Sequence, residues 1–409
     1  MKRTGSPPTP AVAPAGNGAP ANVVFINSHP VQYVVPFYRQ LTREESGTLA
    51  LTVLYLSDET VNGYVDRQFG ARVQWDIPLL DGYTYRFLKN YSWKPSLYNG
   101  FFGLVNWGLL AELRRMPKSI VVSHGWAYAS NILTLWAARV FGHTVCLRGE
   151  TPLVHERVRQ GVWHWLRGQL LRRLVFAPVH RFLYIGEQNR QFYKALGVPD
   201  DRLLPMPYAV DNDRFRQQAT QAQADVAPTR RAWGLCEHRI ILYVGKLIDK
   251  KRPMDLLRAY TLLRQHRPNL GLVFVGDGEL RAELEAFIYE NRLTSVRITG
   301  FVNQQELPRY YASADVFVMC SGLGETWGLS VNEAMNFGLP IVASDLTGCH
   351  SDLVEEGVNG FVFRTGDIEQ LAAVIGKTLD GIVCGGVSRE RVAHYSYDAM
   401  TAGLKQLTV

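Results

Sequence analysis

The stretch SGLGETWGLSVNEAMNFGLPIVAS, residues 321–344, decides the architecture of this chain. Gly322, Gly324 and Thr326 make a loop, and the residues up to about Asn336 follow a helical pattern. Gly338 stops the helix and Pro340 opens an apolar strand. A helix that begins near Trp327 to Leu329 presents backbone N–H groups with no intrahelical partner, and with the helix dipole these favour a phosphate. Glu325 stands in the loop before that helix, and Glu333 lies one to two turns inside it. Spacing alone says little, because Asp58 with Asp66 and Asp277 with Glu285 share it. A Gly-flanked helix start between the two carboxylates says more: it suits one group for sugar hydroxyls and one for a ribose diol. Two surface acids on a solvated helix are the bland alternative, which the apolar surroundings disfavour.

Outward from this stretch, short β-branched runs alternate with helical patterns. ANVVFIN (21–27), LTVLYL (51–56), SIVV (119–122), TVCLR (144–148) and RFLYIG (181–186) form one series. RIILYVG (239–245), LGLVFVG (270–276), VRITGF (296–301), DVFVMC (315–320) and PIVAS (340–344) form a second. Most are continuous apolar runs, as expected of strands buried on both faces of a parallel sheet. The class is therefore α/β, with two Rossmann-like doubly wound domains facing a central cleft. The polar segment QQATQAQADVAP (217–228) separates the two series. The expected units are a disordered tail over 1–20, a first domain over 21–220, a second over 221–390, and a C-terminal helix within 391–409 packing back toward the first domain.

The 409 residues are 47% hydrophobic and 20% charged, which excludes wholesale disorder. The net charge of +7 is uneven. Residues 1–224 hold 25 basic and 15 acidic side chains, whereas residues 225–409 hold 19 and 22. Five scattered cysteines with no CxxC pair argue against a disulfide framework or a zinc site and make the cytosol the default location. The Pro- and Ala-rich start has no apolar run of signal-peptide length. Twenty uncharged residues between Lys118 and Arg139 are split by Ser123, His124, Gly125, Ser130 and Asn131, which argues against a membrane span. Residues 154–181 carry six Arg and one Glu among Trp, Leu and Val. Such a basic amphipathic helix can lie on an anionic membrane surface or pack on the core with its Arg face solvated. The aromatic segment YSWKPSLYNGFFGLVNW (91–107) is open between core and acceptor groove. No nucleic-acid module accompanies the charge, so nucleic acid is not an expected partner.

RIILYVGKLIDKKRP ends a strand at Gly245 and then supplies Lys246, Lys250, Lys251 and Arg252. Cations directly after a strand's carboxyl end can neutralise a diphosphate, work otherwise given to a divalent metal, although a solvated basic turn has the same composition.

VGKLIDKKRP, VGDGEL (275–280), GFVNQQELPRYYASADVFVMCS (300–321), GETWGLSVNEAMNFGLPIVAS and GVNGFVF (357–363) together resemble the family 4 retaining glycosyltransferases of the GT-B fold. Five motifs in order make the resemblance specific, and it covers nearly the whole second domain. It implies that Glu325, the first Glu of a Glu-x7-Glu motif, contacts the donor sugar and that Glu333 holds the nucleotide ribose. It places the diphosphate pair on Lys246 and Lys251, with Lys where Arg is more usual, which keeps the charge but gives up a bidentate fork. Phosphate contacts then fall on the backbone of Trp327, Gly328 and Leu329, with Thr326 also donor-binding, and base contacts near Phe301 and Val302.

The first domain departs from the family pattern. SHPVQYVVPFYRQL (28–41) has no Gly-Gly pair, leaving His29 as an acceptor-side candidate. VVSHGW (121–126) resembles the family's histidine strand end, with His124 as a catalytic candidate beside the bland reading of a structural histidine. VCLRGET (145–151) puts Arg148 where an active-site His often stands, and Glu150 follows on the acceptor side. PYAVDNDRF (207–215) resembles the family's PNGVD turn with Tyr208 and Ala209 substituted. Its Asp211-Asn212-Asp213 looks like a metal-binding DxD but falls in a turn.

The resemblance implies transfer of a sugar from a nucleotide diphosphate donor to a glycan or lipid-linked acceptor, in surface polysaccharide or lipid-linked oligosaccharide synthesis, with no metal and no cofactor. A nucleotide-sugar epimerase of the same fold and a catalytically silent sugar-binding module are the rivals. No strand is followed by GxGxxG, which disfavours a nicotinamide dehydrogenase.

Overall fold

The computed structural model describes residues 19–61, 64–66, 71–73, 78–158 and 161–408, so nearly all of the expected tail lies outside the described residues. The first half contributes strands β1 (Ala21–Asn27), β2 (Leu49–Tyr55), β3 (Tyr64–Asp66), β4 (Ala71–Val73), β5 (Tyr85–Phe87), β6 (Ile120–His124), β7 (Thr144–Arg148), β8 (Arg181–Tyr184) and β9 (Leu203–Pro205). β3 and β4 form a small antiparallel hairpin, and the other seven form a parallel sheet in the order β5-β2-β1-β6-β7-β8-β9. The second half contributes β10 (Arg239–Val244), β11 (Leu270–Val275), β12 (Val296–Ile298), β13 (Val316–Met319), β14 (Ile341–Ser344) and β15 (Gly360–Phe363). These pair in parallel in the order β12-β11-β10-β13-β14-β15. Every run expected as a strand is one, and both sheets are doubly wound.

The continuous apolar runs follow from two covered faces. In β1, Val23 and Phe25 enter one core cluster while Val24 and Ile26 enter another. In β10, Ile240 and Leu242 face one cluster, and Ile241 and Tyr243 face the opposite one. Side chains of a strand alternate between faces, so a strand covered on both sides has no solvated position to mark with a polar residue.

The order reverses between β1 and β6 in the first sheet and between β10 and β13 in the second. Ligands of open parallel sheets bind beyond the carboxyl ends of strands at such switch points. The loops after β1, β10 and β13 are thereby brought to one cleft.

Two sequence readings change, and a third is borne out. The polar run 217–228 is not an open linker. It continues the helix Asn212–Gln221 into a second, Val226–Trp233, and Phe215 and Ala219 at i, i+4 pack into the second domain's core. Residues 154–181 are not one amphipathic helix: Leu153–Arg157 and Val162–Leu170 are separate, and a wide π turn follows at Leu171–Phe176. The uncharged stretch after Lys118 divides into β6 and the helix Ala129–Val140, and among the described residues no helix is long and apolar enough to cross a membrane.

The helix Tyr397–Lys405 starts on a Ser396 cap and buries Tyr397, Met400 and Leu404 in the first domain's core. The chain therefore crosses back after building the second sheet.

Candidate functional site

A cavity of about 440 Å³ lies between the two domains. The loop after β1 supplies His29, Pro30, Val31, Gln32 and Tyr33 to one wall, with Tyr208 beside it. The other wall is built from Lys246, Lys250 and Lys251 after β10, Phe301 and Val302 after β12, and Glu325 to Ser330 and Glu333 after β13.

The helix Leu329–Asn336 aims its first turn into this cavity. Gly328 precedes it at φ 107°, and a Cβ there would sit 2.6 Å from the Met319 sulfur, so both conformation and space require glycine. Trp327 is buried just before it, donating its indole N–H to Asn332 Oδ1 at 2.8 Å. Its ring packs against the first domain, where a Cβ on Gly186 would come within 2.4 Å of it. The ring thus fixes the start of the helix against the opposite domain.

Glu325 is buried and forms an ion pair with Lys251, while Ser321 donates a hydrogen bond to the same oxygen at 3.2 Å. Burial opposes its charge, but Lys251 and then Lys250 outweigh burial and hold the carboxyl below its usual range. Burial in turn pushes Lys250 down, with Glu325 partly offsetting it. The site thus holds an ionised carboxylate inside a group of cations with charge to spare.

Glu333 has a different environment. Tyr311 donates to one of its oxygens at 2.6 Å and Gln304 to the other at 3.4 Å, and Gln304 is itself held by Arg214 at 2.8 Å. Burial raises the Glu333 carboxyl, with the Tyr311 hydrogen bond, Arg214, Gln304 and Tyr33 pulling back. Tyr33 comes from the first domain, and burial followed by Glu333 raises its phenol. The loop that lacks the expected glycine pair therefore places a phenol on Glu333.

Of the site residues read from sequence, His29, Lys246, Lys251, Phe301, Val302, Glu325, Thr326, Trp327, Gly328, Leu329 and Glu333 line the one cavity. His124, Arg148 and Glu150 do not. His124 and Arg148 end the neighbouring strands β6 and β7 in register, and an Arg148 amino group donates to His124 Nε2 at 3.0 Å. Arginine has no lone pair to offer, so His124 is neutral there with its proton on Nδ1. Burial, then Arg148, lower its imidazole well below the ordinary value. Arg148 is only 1% exposed, and its Nε has no hydrogen-bond partner among the described residues. Its guanidinium lies 4.6 Å from the centroid of the Tyr208 ring. Tyr208 donates to Glu150, and Thr326 donates to the other Glu150 oxygen at 3.3 Å. These residues connect to the cavity wall through Tyr208 and Thr326 rather than lining it themselves.

Asp211 accepts the backbone N–H of Arg214 at 3.0 Å as the cap of its helix, and Asn212 donates to the carbonyls of Val392 and Tyr395. The DxD-like turn is spent on structure. Tyr33, Gln32, Gln304 and Tyr311 were missed in the sequence. Only the position of Tyr33 and Gln32 after a strand end, and of Gln304 and Tyr311 within the motif at 300–321, offered a signal.

Residues 229–397 match the family model described as glycosyl transferases group 1. The second domain is thus similar to the glycosyl transferases group 1, and the two facing domains have the fold of the GT-B glycosyltransferases. It is 26% identical over 307 residues to the α-D-kanosaminyltransferase of Streptomyces kanamyceticus, covering 70% of this chain and 77% of that one. It is 32% identical over 200 residues to the sulfoquinovosyl transferase SQD2 of Arabidopsis thaliana, covering 47% of this chain but only 36% of that relative's length. The fold is similar to that of HepE from Anabaena, solved in complex with UDP, at a TM-score of 0.68 and 14% identity over 95% of this chain and 99% of the other. The similarity is concentrated in the second domain, and the departures lie in the first.

Proposed function

We propose that this glycosyltransferase moves a sugar from a nucleoside diphosphate donor to a hydroxyl of a glycan or lipid-linked acceptor, retaining the anomeric configuration, with lysines in the role of a divalent cation. One observation carries the reading: Lys246, Lys250 and Lys251 line the same cavity as the first turn of the Leu329–Asn336 helix. A diphosphate between them would meet three ammonium groups and a set of helix N–H donors. The UDP complex of HepE supports the same class of donor.

As the glycosidic C–O bond breaks, its electron pair passes to the departing phosphate oxygen, where the lysines and the helix start stabilise the charge. The acceptor hydroxyl attacks from the same face, and its proton goes to that phosphate oxygen. Glu325 receives sugar hydroxyls, and its pairing with Lys251 keeps it ionised for that purpose. Glu333 receives the ribose diol, displacing the 3.4 Å bond from Gln304. Lys251 is shared between Glu325 and the diphosphate.

The test is transfer from a panel of nucleotide sugars to glycan and lipid-linked acceptors in excess chelator, with the anomeric configuration of the product read by NMR. Product of retained configuration is expected. An inverted linkage overturns retention, and chelator loss restored by magnesium overturns the role given to the lysines. A new nucleotide sugar formed without acceptor assigns an epimerase instead, and donor binding without any turnover assigns a sugar-binding module.

A further inference from the structure

Most of the exposed large apolar side chains among the described residues lie on the first domain, outside the lining of the cavity. Trp163 is 84% exposed, with Val162, Trp165 and Leu170 also exposed on the helix Val162–Leu170, which buries no residue at all. Trp93 is 96% exposed, and Phe102 and Trp107 accompany it in the aromatic segment. Trp136 and Val140 stand out from the helix Ala129–Val140.

The aromatic segment and the helix Ala129–Val140 belong to one layer, and the helix Val162–Leu170 runs directly into the turn Leu171–Phe176 of that layer. The segment ending at Leu104, the helix Gly108–Arg115, the helix Ala129–Val140 and the turn Leu171–Phe176 all send their inner side chains into a single core cluster on one face of the first sheet. Trp136 donates its indole N–H to the Leu174 carbonyl at 2.9 Å, and Tyr128 donates to the Leu97 carbonyl at 2.8 Å, tying neighbouring elements together. Their outward side chains are therefore the outer surface of that layer.

The same elements hold nearly all the surplus charge. Residues 88–181 contain 13 Lys and Arg against three Asp and Glu, a surplus of ten that equals that of the entire first half. Arg114, Arg115, Arg139, Arg157, Arg172 and Arg173 are exposed, while Glu156 is buried.

We infer that this outer layer docks the chain on an anionic lipid bilayer. Indoles and phenyl rings suit the headgroup boundary, aliphatic Val162 and Leu170 suit the acyl region beneath it, and arginines suit lipid phosphates. A glycan would stack on rings but gains nothing from exposed aliphatic side chains. A second copy of the chain would bring two strongly cationic faces together, which is repulsive. Glu59 accepts hydrogen bonds from Ser96 and from the Leu97 N–H, and Thr60 next to it lines the cavity with His29. The docked layer therefore borders the side of the cavity that the proposed reaction gives to the acceptor. That last step rests on the proposed transfer, whereas the docking itself does not.

Flotation of the full chain with vesicles of phosphatidylcholine plus phosphatidylglycerol, beside phosphatidylcholine alone, tests it without any turnover. Binding to the anionic vesicles that weakens at high salt is expected. Arg172→Ala with Arg173→Ala should lower partitioning on the order of thirtyfold, and Trp163→Ser with Trp165→Ser about tenfold or more. Both pairs are on the surface and should keep nucleoside diphosphate binding, with the melting temperature changed only by loss of the Arg172 hydrogen bond to the Leu196 carbonyl. Wild-type chain that stays unbound, aromatic variants that bind as well as wild type, or a solution dimer that shields Trp163 and Trp165 would each overturn the inference. Vesicle binding without sugar transfer would leave docking intact and remove the transfer reading instead.

Discussion

Tyr208 donates its phenolic hydrogen bond to Glu150, and the second oxygen of that carboxylate accepts from Thr326 across the cleft at 3.3 Å. Arg148 lies against the same Tyr208 ring. Two positions at which this chain departs from the family pattern, Arg148 and Tyr208, are thus in contact, and together they orient Glu150 toward the loop that bears Glu325. Because both hydrogen bonds end on one carboxylate, removing them should not be additive. A double-mutant cycle of Tyr208→Phe and Thr326→Val, read by thermal stability and by kcat/KM, should give a coupling of about 0.5–3 kcal/mol. Simple additivity would show that Glu150 does not join the two domains.

Lys251 and Glu325 form a buried ion pair, so removing the cation leaves an uncompensated carboxylate that only Lys250 and Ser321 still reach. Lys251→Ala should destabilise the protein by about 3–5 kcal/mol, and Glu325→Gln in the same background should recover part of that loss. The single variant should also weaken nucleoside diphosphate binding in calorimetry. Lys251→Arg should keep both stability and binding. Unchanged nucleotide affinity in Lys251→Ala would remove this lysine from the diphosphate site.

Glu333 sits among donors, with Tyr311 and Gln304 on its two oxygens and Tyr33 beside it. Glu333→Gln exchanges one acceptor oxygen for an NH₂ group that faces donors. Free nucleoside diphosphate affinity should fall by about tenfold or more, since hydrogen bonds to a charged acceptor are worth about 1.5–3 kcal/mol. Inorganic pyrophosphate, which has no ribose, should bind the variant as it binds wild type. Equal losses for both ligands would place Glu333 outside the ribose contact.

The features legible in the sequence were those confined to one loop or one strand. The helix start after Glu325, the cations after β10 and the apolar runs of β1 and β10 each encode their own geometry. β5 and β9 escaped because three-residue edge strands carry too little pattern. The run 217–228 looked like a boundary because only Phe215 and Ala219 anchor its helix, a narrow stripe in a polar stretch. Contacts between distant loops, such as Tyr33 on Glu333 or Tyr208 on Glu150, leave no trace in spacing. For the same reason nothing in the spacing showed that His124 and Arg148 meet each other and Tyr208 outside the lining of the cavity.

His29 offers a test by pH. It lines the first-domain wall with Ser28 Oγ 2.9 Å from its Nδ1, and burial lowers its imidazole from 6.5 to about 4, with Glu59 acting in the opposite direction. Between those two values the unfolded chain takes up a proton at this position and the folded chain does not. The unfolded state then binds more protons, so stability at this site rises with pH across the window and is fully present above 6.5. The difference amounts to about 3 kcal/mol at most. His29→Gln cannot titrate, so its melting temperature should fall less steeply than wild type as the solution is acidified from 6.5 to about 4. Parallel curves for the two proteins would mean that His29 is solvated and free to charge, which would take it out of the closed wall of the cavity.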